Sequence, residues 1–423
     1  MPDSIPPFRE ALRFWLKLGF ISFGGPTGQI AIMHAELVER KKWIDERRFL
    51  HALNYCMLLP GPEATQLAIY CGWLLHRARG GIAAGVLFVL PSVLLLWLLS
   101  WIYVTCGQLP WIAAAFYGLK PAVTAIVAAA VTRLGRRALR RPASWVVAGA
   151  AFGAILFLRL PFPAIVGAAA LAGGIGGRFF KPDADEALPV DPPVAAAPVQ
   201  SWWSRALRVS GIGLALWWVP VLVAGCWQGW DGTLAREGIF FSKAAMITFG
   251  GAYAALPYAG QQAVDHFGWL TAPQMLDGLG LAETTPGPLI MVMQFIGFLG
   301  GWHQPGALSP LMAATLGALI TTWTTFVPCF LWIFLGAPHI EQLRGHARLD
   351  GTLAAVTASV VGVVLSLAVW FGLHVFFPGD RGVDWFALTI AFVAFVGMQR
   401  FKLNVILVIL GCGLMGWAKS WLS

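Results

Sequence analysis

The chain repeats itself. Phe23-Gly24-Gly25 returns as Phe249-Gly250-Gly251, and Pro60-Gly61-Pro62 returns as Pro286-Gly287-Pro288. Lys17 returns as Lys243 and Trp43 as Trp269, and every pair stands at one offset of 226 residues. Four features held in one register point to an internal duplication. In an apolar chain, a duplicated half is the mark of a carrier built from two repeats.

Hydrophobic residues make up 58% of the chain and charged residues 12%, so a membrane protein is expected. Met1 to Glu10 carries acids and prolines rather than a basic stretch followed by an apolar core, so no cleaved signal is read there. The net charge of +9 lies in short loops between apolar runs, which argues for topology and against a nucleic-acid partner. Six scattered cysteines form no CxxC pair, and the histidines form no HxxxH or HExxH spacing. No metal, cofactor or disulfide is expected from them.

The composition divides the chain into an N-terminal repeat over residues 8–180, a Pro/Ala/acidic linker over 181–208, an unpaired apolar helix over 209–227 and a C-terminal repeat over 238–423. The repeat persists beyond the opening motifs, since Ala122-Val-Thr-Ala125 matches Ala355-Val-Thr-Ala358 and Trp145 matches Trp385.

Loop charges then set orientation. Arg40, Lys41, Lys42, Arg47 and Arg48 separate the first FGG and PGP motifs, whereas the matching stretch 258–274 has no Lys or Arg. Arg133, Arg136, Arg137, Arg140 and Arg141 follow the Ala122 segment, where the second half offers only Arg381. Conversely, residues 106–116 are uncharged while their counterpart carries Arg344 and Arg348, and Arg159 stands alone against Arg400 and Lys402. The positive-inside rule points in opposite directions in the two halves, and the unpaired helix supplies the odd crossing that inversion requires. The linker is then cytoplasmic.

Basic residues flank the first PGP segment on both sides, so residues 50–75 are expected to enter the membrane and return. Each proline removes a backbone donor and clashes with the preceding turn. The fold class is therefore an all-α polytopic membrane protein of two inverted-topology repeats, with broken or re-entrant helices at the FGG and PGP motifs. Roughly nine to thirteen membrane segments follow. Kinked but complete spans are the alternative.

Lys17 and Lys243 lie on apolar segments six residues before each FGG motif. A charge within the membrane points to a pathway, although snorkelling to the surface competes with that reading. Lys120 is a third candidate without a repeat partner. Ser22, Phe23, Gly24, Gly25, Phe249, Gly250 and Gly251 expose backbone where a broken helix restarts, and unpaired N–H groups there suit an anion. Close helix packing is the other use of Gly-Gly. Thr65, Gln66, Thr284 and Thr285 flank the breaks Pro60, Gly61, Pro62, Pro286, Gly287 and Pro288. They serve either as donors to an oxyanion or as partners for freed backbone. Glu63 and Glu283 are candidates for coupling, and Asn54, Gln29 and Gln294 are weaker candidates for contact.

The pattern Phe14-x-x-Lys17-x-Gly19-x-x-x-Phe23-Gly-Gly-Pro26, then Trp43, then Leu59-Pro-Gly-Pro62 with Gln66, resembles the chromate ion transporter family in its long, two-repeat form. The resemblance covers nearly the whole chain. It implies a multi-pass protein of the bacterial inner membrane that exports chromate, confers chromate resistance and is related to sulfate, which chromate mimics. The second half departs at Ala252, in place of Pro26, and at Leu289, in place of Glu63, so the half-sites are not chemically equivalent.

The partners implied are chromate, with sulfate as the open alternative, and the lipid bilayer. A homodimer also stays open. A carrier or exchanger for sulfate or another oxyanion is the nearest rival. A lipid-phosphatase-like membrane enzyme is a distant one, because no Arg-Ser pair stands beside the breaks. A passive anion channel is a third. If the lysines hold the anion, Lys17→Ala or Lys243→Ala abolishes resistance while the protein stays in the membrane; full resistance in both variants removes the lysines from the site.

Overall fold

The computed structural model describes residues 6–23, 25–57, 59–107, 109–158, 160–176, 179, 202–249, 252–336, 347–378 and 382–422. Gly24, Gly250, Gly251, Arg159, Arg344, Arg381 and the linker up to Ser201 lie outside the described residues. Sixteen α-helices and no strand are found among the described residues. The first half contains α1 (Phe8–Ile21), α2 (Gly25–His34), a π turn (Ala35–Arg40), α3 (Glu46–Cys56), α4 (Glu63–Cys106), α5 (Pro110–Ala138), α6 (Pro142–Leu156) and α7 (Phe162–Ile175). Then comes α8 (Trp202–Gln228), which begins inside the end of the stretch read as linker. The second half contains α9 (Thr233–Ile247), α10 (Ala252–Gln261), a π turn (Gln262–His266), α11 (Ala272–Thr284), a 3-10 turn (Leu289–Met291), α12 (Val292–His303), α13 (Pro310–Gly336), α14 (Ala347–Phe376), α15 (Trp385–Arg400) and α16 (Val405–Leu422).

The sequence repeat reappears as backbone geometry. Ser22 and Thr248 end α1 and α9 with φ/ψ of −82/82 and −78/84, and each centres a tight turn in which Phe23 or Phe249 donates to the carbonyl two residues back. Lys41 N–H bonds Glu36 O as Phe267 N–H bonds Gln262 O, and Trp43 bonds Leu37 O as Trp269 bonds Ala263 O. Asp45 caps α3 and Thr271 caps α11 at the matched position. One difference is instructive. Where α12 and α13 are joined by a loop, the corresponding helices are fused into α4, which bends at His76 and Arg77. Gly72 and Gly80 sit backbone to backbone there, so the two arms of the bend lie side by side.

The arms that meet the motifs are short. α1, α2, α3, α9, α10, α11 and α12 have 14, 10, 11, 15, 10, 13 and 12 residues. At 1.5 Å per residue each reaches about 15–23 Å, less than the ~30 Å of a bilayer core. Each pair doubles back at its break. Lys41 returns to Glu10 at 3.1 Å and Trp43 to Phe14 at 5.4 Å between ring centres, closing the α1–α2 hairpin. Tyr55 and Tyr70 lie 6.1 Å apart across Pro60-Gly61-Pro62. In the second half Phe240 meets Trp269 at 5.7 Å, and Phe295 of α12 packs directly on Gly278 of α11.

Two long helices tie the halves together. Past its bend α4 runs about 43 Å. It starts beside α1, where His76 bonds Pro6 O at 2.8 Å, passes Gly19 at Leu87–Pro91, and reaches Asp277 of the second half through Tyr103 at 2.9 Å. α13 runs the mirrored course, from Gly301 past Gly297 to Tyr55, whose hydroxyl donates to Trp332 O at 3.0 Å. The two sets of hairpins therefore touch tip to tip and open toward opposite ends. α5 and α14 also cross over: α5 packs on α15 and α16, and α14 on α6 and α7. Among the described residues, five helices are long and apolar enough to cross a membrane. The exposed Val219, Leu222 and Val223 of α8 present an apolar face that suits lipid. All six cysteines are free.

Gly61 and Gly287 hold φ of 121° and 111°, a region that L side chains rarely adopt. A Cβ at Gly287 would stand 2.6 Å from Ser92 Cβ, and one at Gly61 would stand 2.9 Å from Gln66 Nε2. Gly61→Ala and Gly287→Ala are each expected to cost about 1–3 kcal/mol from backbone strain alone, with further loss from the clash. Detergent-solubilised protein should show earlier thermal aggregation for both variants than for Gly149→Ala, a position with open space around it.

Candidate functional site

The four breaks converge on one place. Gly61 N–H donates to Thr248 O at 2.7 Å, and Gly287 N–H donates to Ser22 O at 2.7 Å. The offset of 226 turns the first bond into the second, so each half's PGP glycine caps the helix that precedes the other half's FGG motif. Those carbonyls sit at helix C-termini, where partners are otherwise lacking. α4 begins at Glu63 and the Leu289 turn at Leu289, each two residues after a glycine of the crossing, so the start of each lies beside it. Pro62 and Pro288 provide no side-chain cap to theirs. The positive ends of those helices favour an anion.

The side chains around the two halves of the crossing differ. On one side Gln29 Nε2 bonds Gly287 O at 2.5 Å, and Ser92 packs on Gly287. Ser22, Gln29 and Ser92 are fully buried, yet Ser22 Oγ, Gln29 Oε1 and Ser92 Oγ have no hydrogen-bond partner. On the other side Cys329 and Gln66 flank Gly61, and Gln66 Nε2 bonds Pro60 O at 2.7 Å. Thr65 Oγ1 and Gln66 Oε1 are buried and unpaired there. At the register of Gln29 and Gln66 the second half carries Ala255 and Val292. Buried unpaired hydroxyls are uncommon and costly, and a polar ligand would satisfy them.

Glu283, three residues before the second Pro-Gly-Pro, accepts from Tyr253 OH at 2.7 Å. Arg133 of α5 stands close enough to act electrostatically on both Tyr253 and Glu283. Its side chain is exposed, so a water-accessible cation stands beside the start of α10. Farther along α5, Lys120 Nζ lies 3.7 Å from Asp277 Oδ1, whose other oxygen accepts from Tyr103.

The sequence-derived residues thus fall into separate groups. Ser22, Gly61, Gly287, Gln29 and Gln66 meet at the crossing, with Phe23, Phe249, Pro60, Pro62, Pro286 and Pro288 forming the breaks around it. Thr65 stands on the first turn of α4, unpaired, while Glu63 at its start is partly exposed. Thr284 and Thr285 spend their hydroxyls on Leu281 O and Ala282 O, the backbone-satisfying use. Gln294 donates to Val93 O on the long helix. Lys17 and Lys243 sit on the exposed faces of α1 and α9, beside exposed Leu16 and Phe20 and beside Met246. They turn away from the crossing because the buried stripe of α1 is Ala11, Phe14, Trp15 and Leu18, which leaves position 17 outside. Ser92, Tyr253, Asp277 and Glu237 were not among the residues singled out from sequence, and Arg133 was read only as a loop charge. Ser92 and Arg133 lie on long helices and Tyr253 and Asp277 on short arms, and only tertiary packing gives them their places; for Glu237 the contrast with Ala11 at the matched register was available.

No solved structure matches the chain. A family model described as chromate transporter matches residues 9–174 and 237–417, one stretch in each half. A chromate transport protein of Pseudomonas aeruginosa is 33% identical over 98% of this chain and 94% of its own length. One of Cupriavidus metallidurans is 30% identical over 85% of this chain and 82% of its own. An uncharacterized transporter of Bacillus subtilis aligns at 27% identity over 91% of itself but 42% of this chain, so a relative the size of one half exists. With both halves matched and the relatives aligned nearly end to end, the chain belongs to the chromate transporter family.

Proposed function

We propose that this protein is a secondary carrier of the bacterial inner membrane that exports chromate and so confers resistance, with the anion held at the crossing of the four breaks. The observation that carries this reading is the set of unpaired buried hydroxyls on Ser22, Ser92 and Thr65 among uncapped helix N-termini. Hydroxyls and helix N-termini donate hydrogen bonds to a tetrahedral dianion without placing fixed charge in the membrane. Arg133 stands beside the start of α10, near Glu283 and Tyr253, as the cation that draws the anion in. The exposed Lys17 and Lys243 act at most at the membrane surface in this arrangement.

The two halves are read as inverted repeats, with the basic first-half loops and the linker in the cytoplasm. Membrane potential then supplies the energy. Each charge moved through 100 mV is worth about 2.3 kcal/mol, so a dianion leaving a cell that is inside-negative by roughly 150 mV gains about 7 kcal/mol, on the order of a 10⁵-fold gradient. We read alternating access as a motion other than one half rocking against the other, the form that inverted repeats alone would suggest. Because α5 and α14 pack on each other's terminal helices, neither half is a separable body. The motion belongs between the hairpin core and the bundle of α5, α6, α7, α14, α15 and α16, each drawn from both halves.

Everted vesicles energised inside-positive should accumulate radiolabelled chromate, and excess sulfate should compete. Absence of uptake above empty vesicles, with folded protein present, sinks the reading; a faster uptake of sulfate than of chromate transfers it to the sulfate carrier. Ser22→Ala and Ser92→Ala separate a ligand role from a structural one. Removing an unsatisfied buried hydroxyl should leave thermal stability unchanged or slightly raised. The apparent KM for chromate should rise about tenfold for a lost charge-assisted bond of roughly 1.5 kcal/mol. Loss of stability with unchanged KM would make both residues structural.

A further inference from the structure

One buried acid of the second half has no task in the crossing. Glu237 lies on α9 with no exposure, and neither carboxyl oxygen has a hydrogen-bond partner. It fills a slot between α12 and α13. A Cβ on Gly317 would stand 2.7 Å from Oε2, and one on Gly300 would collide with Oε1. The two glycines leave the space that the carboxyl occupies. At the matched position of the first half stands Ala11, equally buried, so the arm does not need an acid in order to pack.

Among the described residues no charge compensates it. On the helices packed against α9, the titratable groups are Arg205, Arg208 and Cys226 of α8, Tyr253 and Tyr258 of α10, His303 of α12 and Cys329 of α13, and the turn that leads to Phe267 and Trp269 adds Asp265 and His266. None bonds to Glu237. His303 is hydrogen-bonded to Trp269 O at 2.8 Å, and the adjacent Arg236 is exposed and paired with Asp231 at 2.9 Å. An ionised carboxylate withdrawn from water without a partner is far too costly to persist. In the closed slot Glu237 therefore holds its proton, and it can release it only when the slot opens.

We propose that Glu237 is a proton-binding site that couples proton entry to anion exit; this rests on the transport reading above. The residue lies about 6 Å along α9 from Thr233. Thr233 in turn bonds Gln304 O at 2.8 Å and closes that end of the arm. A proton from the second-half side thus has one helical turn to cross. With the basic loops cytoplasmic, that side is external. A proton taken up there protonates the Glu237 carboxylate, and when the arms move it leaves to water on the inner side. Nothing is oxidised or reduced. Positive charge moving in and a dianion moving out are both favoured by an inside-negative potential.

The test uses full-length protein in everted vesicles with the potential clamped at zero, comparing wild type with Glu237→Gln and Glu237→Ala. Gln keeps the shape, and Ala copies the first half. A lumen more acid by one unit should raise steady chromate accumulation about tenfold per coupled proton in wild type and leave both variants unresponsive. Variants that keep the response, or a wild type that accumulates chromate under potential but ignores the pH gradient, overturn the proposal. Infrared difference spectra of the same proteins test the proton itself. A protonated-carboxyl band present in wild type and missing from both variants supports the site, and its persistence in both removes Glu237. Failure of wild type to move chromate at all would count against the transport reading, while the infrared result still decides whether Glu237 carries the proton.

Discussion

Two reciprocal hydrogen bonds, Gly61 N–H to Thr248 O and Gly287 N–H to Ser22 O, hold the centre of the molecule. Everything around them follows from one constraint: lipid offers no partner for an open backbone group. Helices broken at membrane depth must find partners for the groups that the break releases. Here each half supplies the donor that the other half lacks. One half alone could not close its own breaks in this way, which gives a physical reason for the halves to meet tip to tip. Proline on either side of the glycine contributes by removing donors that would otherwise also need partners.

On this symmetric scaffold the side chains are arranged asymmetrically. Ser22, Gln29, Thr65, Gln66 and Ser92 line the crossing from first-half elements, where the second half offers Thr248, Ala255, Met291, Val292 and Cys329 at or near the related places. Thr248 even turns its hydroxyl back to Ala244 O. The acids show the opposite bias: Asp277, Glu283 and Glu237 are all buried in the second half. Backbone symmetry therefore builds the crossing, and side-chain divergence sets neutral polar groups in one half and buried acids in the other.

The breaks and the duplication were legible in the sequence because both are carried by residues with a backbone consequence. Pro-Gly-Pro and Phe-Gly-Gly can do little in a helix except end it. The polar lining was less legible. Ser92 is a single polar residue on a long apolar helix and Arg133 the first of a cluster of arginines, and their significance comes from what α4 and α5 pass on the way, which no local pattern encodes. Lys17 and Lys243 illustrate the converse. Their recurrence is real, but a recurrence registers shared ancestry of a position and not the direction of a side chain. The helical spacing of Ala11, Phe14, Trp15 and Leu18 already placed position 17 off the buried stripe.

The interlacing of α5 and α14 limits how such a molecule can move. Gly118 of α5 packs against the backbone of Cys412 and Gly416 in α16, and Gly173 of α7 packs against Gly351 of α14. Contacts at that distance leave no room for sliding without separating the helices. The outer bundle is accordingly the rigid partner. The hairpin core has its short arms joined at glycines with positive φ and linked at the tips, among the described residues, by two backbone bonds and by Gln29. Tilting it about that junction would open one set of hairpins as it closes the other, because the two sets face opposite ends. On the proposed transport reading, an anion lodged at the junction would change sides with almost no displacement of its own, and the same tilt would open the slot of Glu237, the proposed proton site.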